Sequence, residues 1–424
     1  MPVSRAARRR VQDAGRPLRV AVASRIYVPE PAAASFRLAA LVSALLGRGA
    51  DVDVLTVRPA PQHGGQDGAP RTDDAESAAR IRRWPVLRDA TGTVRGYVPY
   101  MSFDVPLALR LLVCRRPDVV VVEPPPTTAF VVRVVCTLRR IPYISYAPDI
   151  WSDAARGTPA PSVLVDAVAA VEAWALRGAR RVLAVSEQIA GRVEAMGVDR
   201  SDLVVVNNGA DTRTFTPDGP RADEGRYFVY AGTTSEWQGA DVFVAALRTV
   251  LEVAPDVRIV FLGQGSAWDD LQQQAKGLPD GAVVFMDAVA PDEAAVWIRG
   301  ALSSLVSLRP GLGYDFAFPT KVFAAAASGV PVVFAGVGPA RDVVAGADLG
   351  HAVDYVEGDV AAAMTVLATR ELDHEQRAAE RHRLSRWARR FGSIERSGDD
   401  AARAVLEVAA RGRAAASREP DPAR

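Results

Sequence analysis

Short apolar runs alternate with amphipathic stretches along most of the chain, and the runs have the length of buried strands. The first run, residues 18–24, precedes a predicted helix at 35–46, and an alternating strand follows at 50–57. This β-α-β order predicts a parallel sheet. The same criteria predict further strands at 80–85, 118–123, 141–146, 181–186 and 203–206, and helices at 105–115 and 162–177.

A second series of strands and helices begins at residue 227, after a segment at 211–226 with prolines, glycines and little apolar content. Two such series predict an α/β protein with two Rossmann-like domains facing across a cleft. The second series comprises strands at 227–231, 257–263, 283–286, 302–307 and 331–334 and a helix at 240–252. The predicted divisions are a basic disordered leader 1–17, domains 18–213 and 214–385, C-terminal helices 386–411 returning to the first domain, and a disordered tail 412–424, with a mobile loop at 59–77.

The segment 314–333 contains a predicted helix whose first turn carries Pro319, Thr320 and Lys321 and which ends at Gly329. A cation in the first turn opposes the helix dipole by about 0.3–1 kcal/mol, unless an anion binds beside it. A phosphate site is one interpretation of Lys321, and a solvated surface lysine is the other.

Composition limits the classes of function. The 424 residues are 49% hydrophobic and 24% charged, with a formal net charge of +1, which is typical of a globular protein of two or three domains and does not favour nucleic-acid binding. No apolar run approaches the roughly 20 residues of a membrane span. The basic N-terminus lacks the apolar core of a signal peptide, and Cys114 and Cys136 lack metal-ligand spacing, so we expect a cytoplasmic protein with reduced cysteines.

Several familiar chemistries do not fit the sequence. The loop after the first strand has no glycine, and no Walker pattern occurs, which argues against dinucleotide and P-loop sites. Neither a Ser-His-Asp triad nor a histidine zinc site is expected, because no histidine follows a predicted strand beside a nucleophile or a second ligand. The four histidines are His63, His351, His374 and His382.

Two glycine turns follow predicted strands in the second half, G-T-T at 232–234 and G-Q-G at 263–265. Open α/β sheets bind ligands at such strand ends, where glycine lets a base or phosphate approach the backbone. An ordinary tight turn between strand and helix is the alternative interpretation. The two turns would be neighbours if their strands pair.

Four motifs in the second half resemble those of glycosyltransferase family 4. They read G-T-T-S-E-W-Q-G at 232–239, F-L-G-Q-G at 261–265, S-L-R-P-G at 307–311 and F-P-T-K-V-F at 318–323. The first half is similar to the family's first domain at 26–37, 185–190 and 205–211. The resemblance covers about residues 19–345 and implies a retaining, metal-independent enzyme of the GT-B fold, of the kind that builds bacterial surface or secondary-metabolite sugars.

The resemblance also implies roles for individual residues. A nucleoside diphosphate sugar, in our expectation UDP-linked, would bind in the second domain and the acceptor in the first, without a metal ion or a cofactor. The implied catalytic residues are Lys321, which would neutralise the diphosphate, Asp149, as a general base or a partner of a sugar hydroxyl, and Arg309. The implied donor-binding residues are Gly232, Thr233, Thr234, Gln238, Gly263, Gln264, Gly265, Ser307, Phe316, Phe318, Thr320 and Ala324, and the implied acceptor-binding residues are Ser35, Arg37, Trp151 and Ser186. A turn-forming Asp149 and a partly buried Trp151 are the structural alternatives.

The sequence departs from the family pattern of a glutamate, seven residues and a second glutamate. Those positions hold Phe316 and Ala324, and Asp315 is offset by one residue from the first. The second glutamate of the family binds the nucleotide ribose, and its loss removes a charge-assisted hydrogen bond of about 1.5–3 kcal/mol. Residues 236–238 (E-W-Q) stand where the family has a basic pair.

We therefore expect a sugar-nucleotide-dependent hexosyltransferase of polysaccharide or secondary-metabolite biosynthesis. A binding or scaffold subunit without turnover is the alternative, and a sugar-nucleotide epimerase of the same architecture is a third hypothesis. The acceptor would be a small molecule or lipid-linked. Arg133, Arg139 and Arg140 are compatible with peripheral contact to an anionic membrane, and equally with solvated charge.

Overall fold

A computed structural model describes residues 16–30, 32–60, 78–88, 94, 96–156 and 161–416. The chain divides into two compact units. The first ends at Val206 and includes the chain again from Arg396, and the second is Asn207–Glu395. The divisions predicted from the sequence followed residues 213 and 385. Most of the predicted leader, mobile loop and tail, and with them His63, lie outside the described residues.

The first unit contains a parallel sheet, as predicted. The described strands are β1 Arg19–Ala23, β2 Asp51–Val57, β3 Arg80–Trp84, β4 Val119–Val122, β5 Tyr143–Ala147, β6 Arg181–Ala184 and β7 Leu203–Val205. They pair in the order β3-β2-β1-β4-β5-β6-β7, and every pair is parallel. All residues of β4 and β5 are buried, the pattern of central strands that helices cover on both faces.

Helices of the first unit connect these strands. They are α1 Ala33–Gly47, α2 Tyr97–Val113, α3 Pro126–Arg139, α4 Trp151–Arg156, α5 Ser162–Arg177 and α6 Glu187–Ala195. The predicted start of α2 at residue 105 was wrong. A proline is expected at a helix start rather than inside one. In α2, however, the buried residues Phe103, Leu107 and Leu111 continue at helical spacing past Pro106, and their packing keeps the earlier turns helical.

The second unit contains a second parallel sheet. Its described strands are β8 Tyr227–Ala231, β9 Arg258–Leu262, β10 Val283–Met286, β11 Ser303–Ser307, β12 Val332–Ala335 and β13 Gly350–Val353. They pair in the order β10-β9-β8-β11-β12-β13. Along β8, Phe228 and Tyr230 belong to one buried cluster, and Tyr227 and Val229 belong to another. Successive side chains therefore fill cores on opposite faces of the sheet.

Helices of the second unit are α7 Asp241–Val253, α8 Trp268–Ala275, α9 Pro291–Gly300, α10 Lys321–Ala327, α11 Pro339–Gly346, α12 Glu357–Thr369 and α13 His374–Phe391. The helix predicted around Lys321 is α10. It begins at Lys321 and is followed by Gly329, whose φ of 72° is the left-handed conformation that glycine adopts readily.

The last helix, α14 Ile394–Ala416, returns the chain to the first unit, as predicted. A Cβ at Gly398 would lie 2.5 Å from the carbonyl oxygen of Ala40 on α1, so the two helices touch through their backbones. Near its end, Arg413 bonds to Asp118 at 2.5 Å between Nη2 and Oδ2. Residues 412–416, predicted to belong to the tail, are helical. No helix in the described part of the chain is long and apolar enough to cross a bilayer.

Candidate functional site

Each sheet has one point at which the strand order reverses. In the first sheet this point lies between β1 and β4, and in the second between β8 and β11. Open parallel sheets form their ligand crevice outside the carboxyl ends of the strands at such a switch point. The residues that follow these four strands are therefore the first candidates for a binding site in each unit.

Lys321 lies at the switch point of the second sheet. Its ammonium group donates a hydrogen bond to the carbonyl oxygen of Thr233, just after β8, at 2.9 Å. The same nitrogen lies 3.7 Å from the ring centroid of Tyr230. Burial lowers the pKa of this amine well below its ordinary value of 10.5. The chain has only two lysines, and the other, Lys276, is on the surface. The structure thus places one desolvated amine where an anionic ligand would be stabilised.

The two glycine turns are neighbours, as the sequence predicted. The amide of Thr234 donates to the carbonyl of Gln264 at 3.1 Å. A Cβ at Gly263 would lie 2.2 Å from the carbonyl oxygen of Gly232, and one at Gly265 would lie 2.2 Å from that of Thr234. Both glycines are therefore required for the turns to pack against each other. This contact between the turns is a reason for the glycines beside the two that the sequence suggested, the approach of a ligand and an ordinary tight turn.

Ser307 and Arg309 hold the loop that follows β8. The hydroxyl of Ser307 donates to the carbonyl of Gly239 at 3.1 Å, and the Tyr355 hydroxyl donates to the same oxygen at 3.0 Å. The Arg309 Nη2 contacts both carboxylate oxygens of Asp241 at 2.6 Å. Since Asp241 compensates the charge of Arg309, Lys321 is the stronger candidate for an anion partner.

Aromatic stacking orders the loop between β11 and α10. Phe318 stacks on Phe323 with ring centroids 4.6 Å apart, and Trp237 stacks on Tyr314 at 4.5 Å. The carboxylate of Asp315 accepts from the Gly311 amide at 3.0 Å and so closes the turn on itself.

The remaining predicted donor residues have structural surroundings of their own. Phe316 lies half-buried in the same loop, and Thr320 precedes α10 without a side-chain cap. Gln238 accepts from the Ser235 amide at 3.0 Å, and Thr234 is fully buried.

Asp149 lies just beyond β5 in the first unit and contributes to a small pocket. One of its oxygens, Oδ1, is buried and has no hydrogen-bond partner among the described residues. Burial, together with the negative charge of Glu123, raises the pKa of this carboxyl to about 6, although Arg37 acts in the opposite direction. The pocket is lined by Pro124, Pro125, Ser145, Tyr146, Asp149 and Glu172, among others. A buried carboxylate with one unpaired oxygen beside a pocket is costly for folding and typical of a functional site.

Arg37 forms a buried ion pair with Glu123 at the switch point of the first sheet. Its Nη2 lies 2.8 Å from Oε1 of Glu123, and its guanidinium lies 5.0 Å from the ring centroid of Tyr146. Burial acts to lower the pKa of Arg37, and the charge of Glu123 outweighs it, so the pKa is raised. Because Glu123 follows β4, this pair fixes α1 to the end of that strand.

Of the other predicted acceptor residues, Trp151 adjoins the Asp149 pocket, and Ser186 and Ser35 have structural surroundings. The backbone amides of Trp151 and Ser152 donate to the carboxylate of Glu172 at 2.8 and 2.9 Å, so Glu172 replaces an N-cap for α4. Ser186 caps α6 by accepting from the Ile189 amide at 3.2 Å. Ser35 is fully buried in α1, and its hydroxyl has no partner among the described residues.

Sequence reasoning missed Glu123, Glu172, Tyr230 and Tyr355 as parts of these two sites. Glu123 directly follows four buried valines, and a carboxylate at the end of such a strand was a usable signal. Glu172 lies on α5 among mostly apolar residues, which was a weaker signal. Within the described chain, no group of three or more His, Cys, Asp or Glu is arranged to hold a metal ion.

Known families match both halves of the chain. Residues 32–209 match the family described as Glycosyl transferase 4-like domain, and residues 225–370 match Glycosyl transferases group 1. The chain belongs to glycosyltransferase family 4. The resemblance predicted from the sequence motifs is therefore confirmed.

Two curated bacterial enzymes are among the proteins similar in sequence to the family 4 chain. A GDP-mannose-dependent alpha-(1-6)-phosphatidylinositol dimannoside mannosyltransferase of Mycobacterium tuberculosis is 27% identical over 213 residues, 48% of this chain and 54% of that protein. A D-inositol 3-phosphate glycosyltransferase of Corynebacterium efficiens is 27% identical over 193 residues, 41% of this chain and 44% of that protein. The match spans about half the length of these relatives.

Solved structures resemble the family 4 chain over nearly its whole length. HepE of Anabaena, in complex with UDP-glucose, superposes with a TM-score of 0.64 at 15% identity and covers 92% of this chain and 100% of that one. WaaG, a glycosyltransferase involved in lipopolysaccharide biosynthesis, gives a TM-score of 0.66 at 14% identity over 91% of this chain and 99% of its own. At these identities the likeness shows the fold, which is the GT-B fold.

The position of the family's second glutamate lies against apolar side chains in this family 4 chain. Ala324, which occupies that position, packs at the edge of the apolar cluster that contains Val229, Leu262 and Val330. A methyl group is suited to this contact, and a carboxylate would have to leave it to reach a ligand.

Proposed function

We propose that the chain transfers a hexosyl group from a nucleoside diphosphate sugar to a hydroxyl acceptor with retention and without a metal ion. The observation that carries the proposal is the desolvated amine of Lys321, held against Thr233 at the switch point of the second sheet. Membership of family 4 supports the same reaction class. The second unit would bind the donor nucleotide.

In this reaction the bond between the sugar C1 and the phosphate oxygen breaks, and a bond from C1 to the acceptor oxygen forms. Negative charge develops on the leaving diphosphate, and a positioned cation in a water-poor site stabilises such charge strongly. The Lys321 ammonium would supply that cation in place of a metal ion. The acceptor proton would pass to the leaving phosphate oxygen or to Asp149.

The acceptor would place one hydroxyl group in the small pocket of the first unit. The unpaired Oδ1 of Asp149 is available to that hydroxyl. The buried ring of Tyr146 and the prolines at 124–126 complete the lining of the pocket. This combination fits a sugar or cyclitol hydroxyl, either on a small molecule or on a lipid-linked acceptor. A cytoplasmic location, where sugar nucleotides are made, follows from the same proposal.

The donor base is best identified with a panel of nucleotides, because HepE was solved with UDP-glucose whereas the mycobacterial relative is GDP-mannose-dependent. We expect UDP to bind most tightly. Calorimetric titration of the full chain with UDP, GDP, ADP and CDP tests this. Substitution Lys321→Ala should weaken binding by one to two decades, the value of a lost charge-assisted hydrogen bond of about 1.5–3 kcal/mol.

The second lysine provides a matched control. The exposed Lys276 follows α8, and its amine donates to the side-chain oxygen of Gln273 on that helix, so Lys276→Ala should leave nucleotide affinity unchanged. If none of the four diphosphates binds, or if the two alanine variants bind equally well, the proposed donor site is wrong.

A non-catalytic binding subunit is the second candidate function, and the apolar packing of Ala324 favours it. The two candidates differ in turnover. Release of diphosphate from a labelled sugar nucleotide by the purified chain, abolished in Lys321→Ala, would support the transferase. Tight nucleotide binding without release over a range of hydroxyl acceptors would support the binding subunit.

A further inference from the structure

Three neighbouring helices of the first unit present large apolar side chains on their outer side. Helix α2 packs on α3, and α3 packs on α5. We define the apolar helical face as the exposed residues Val98, Val105, Leu109, Leu112 and Val113 of α2, Phe130, Val134 and Leu138 of α3, and Val163 and Leu164 of α5. These ten make up more than half of the exposed large apolar side chains in the described chain.

The apolar helical face follows the helical period. The α2 residues 98, 105, 109 and 112 are separated by seven, four and three positions, and the α3 residues 130, 134 and 138 by four. Both helices also have a buried apolar side towards the sheet, formed in α2 by Phe103, Leu107 and Leu111. A helix on the surface of a globular protein is normally apolar on one side only. The second apolar side needs an explanation of its own.

Helix α1 of the same unit shows the usual pattern. None of the exposed large apolar side chains of the described chain lies on α1, and the backbone of α14 at Gly398 packs directly against it at Ala40. No described element packs in this way over the outer side of α2 and α3, where Leu109 and Leu138 are 60% and 71% exposed.

Positive charge borders one end of the apolar helical face. The C-terminal ends of α2 and α3 lie side by side, since Arg116 donates to the carbonyl of Arg140 at 2.5 Å. Arg115, Arg116 and Arg140 are all exposed there. Among the acidic residues of the three helices, only Asp166 is exposed, because Asp104 and Glu172 are buried.

A partly exposed tryptophan lies beside the apolar helical face. Trp84, at the end of β3, is 41% exposed, and the guanidinium of Arg110 on α2 lies 5.9 Å from its ring centroid. Apolar side chains with a basic border and an amphipathic aromatic residue are the composition of surfaces that rest in the headgroup region of anionic bilayers.

We propose that the apolar helical face docks the protein on an anionic lipid bilayer. A second copy of the chain fits less well, because its own apolar helical face would offer the exposed arginines one exposed carboxylate, Asp166, as a counter-charge, whereas an anionic bilayer offers many. The proposal concerns a surface and does not rest on the proposed transferase activity.

Flotation of the full chain with lipid vesicles tests the proposal. The probes are vesicles of phosphatidylcholine alone and vesicles with equal parts of phosphatidylcholine and phosphatidylglycerol. We expect the bound fraction to be at least tenfold higher on the anionic vesicles than on the neutral ones. Binding to the anionic vesicles should weaken as the salt concentration is raised. The double substitution Leu109→Glu and Leu138→Glu should lower binding at least tenfold. Both side chains are exposed, so the variant should fold.

The control is a double substitution on helices of the second unit, Val253→Glu and Val366→Glu, which are 59% and 50% exposed. It adds the same charge and should leave binding unchanged. Absence of binding to anionic vesicles, equal binding of the two double variants, or equal binding to neutral vesicles would overturn the proposal. So would sedimentation velocity that shows a dimer dissociated by the Leu109 and Leu138 substitutions. No nucleotide is used, so a failure here is distinct from failure of the donor site.

Discussion

The amine of Lys321 donates to the carbonyl oxygen of Thr233 at 2.9 Å while it lies 3.7 Å from the ring centroid of Tyr230. Both contacts favour the charged amine, yet burial outweighs them and lowers its pKa. An anion bound beside the nitrogen would reverse this balance. The protonation state of Lys321 should therefore report directly on occupancy of the proposed donor site.

Nucleotide binding should be accompanied by proton uptake. In the free protein, between the lowered pKa and the ordinary value of 10.5, Lys321 is partly neutral, and a bound diphosphate raises its pKa again. Calorimetry at a series of pH values from 8 to 10, in buffers of different ionisation enthalpy, measures the uptake. Over this range the terminal phosphate, with a pKa of about 6, is already ionised.

The two lysines again provide the comparison. On binding nucleotide, the Lys276→Ala variant should take up as many protons as the parent chain. The Lys321→Ala variant, at nucleotide concentrations high enough for it to bind, should take up fewer. Equal uptake in both variants would assign the proton to another group.

Substitution Asp149→Asn should stabilise the protein at neutral pH while it impairs transfer. Burial raises the pKa of Asp149 from 3.8 to about 6, so the folded state disfavours the charged carboxylate. Below about pH 4 the group is neutral in both the folded and unfolded states and has no effect. Between pH 4 and 6 the unfolded chain loses the proton first, and the free energy of unfolding falls by an amount on the order of 2–3 kcal/mol.

The asparagine variant should therefore show a higher unfolding temperature than the parent chain at pH 7.5, and the difference should disappear near pH 4. Calorimetry of the full chain measures this. Asp166→Asn, an exposed carboxylate on α5, is the control and should change stability at neither pH. Transfer activity of Asp149→Asn should drop by about two to four decades if Asp149 acts as a base. A variant that is both fully active and no more stable would contradict the role given to this carboxyl.

Alanine at Gly263 or Gly265 should destabilise the second unit even without a nucleotide. In each case the added Cβ would meet a backbone oxygen at 2.2 Å, and Gly263 also has a φ of 150°. We expect a loss of more than about 2 kcal/mol in the free energy of unfolding.

Gly191 in α6 serves as the control for the glycine substitutions. It has open space around its Cβ position, so Gly191→Ala should stabilise the chain by about 0.5–1 kcal/mol. If Gly263→Ala kept full stability and lost only nucleotide affinity, the glycine would be required by the ligand, which is one of the two interpretations that the sequence left open.

The sequence predicted the elements whose signals are local. Helix α5 and strand β8 have the predicted bounds, because apolar periodicity and flanking polar or glycine residues define both. Strand β13 was missed, since its four residues, G-H-A-V, are half-buried at a sheet edge and show no clear alternation.

The candidate sites were predictable only in part. Lys321 and the two glycine turns had motifs, but Asp241 and Tyr355 meet Arg309 from positions 68 and 46 residues away in the chain. No local pattern reports such a contact. The pairing of Arg37 with Glu123 is of the same kind, because it depends on the order of β1 and β4 in the sheet.

The packing of the turn at 263–265 on the turn at 232–234 has a consequence for how this chain can change in evolution. Each missing side chain in one turn leaves the space that a carbonyl group of the other fills. A larger residue in either turn would be tolerated only with a compensating shift of its neighbour. We expect the two motifs to be inherited as one unit, so that relatives which alter one have altered the other.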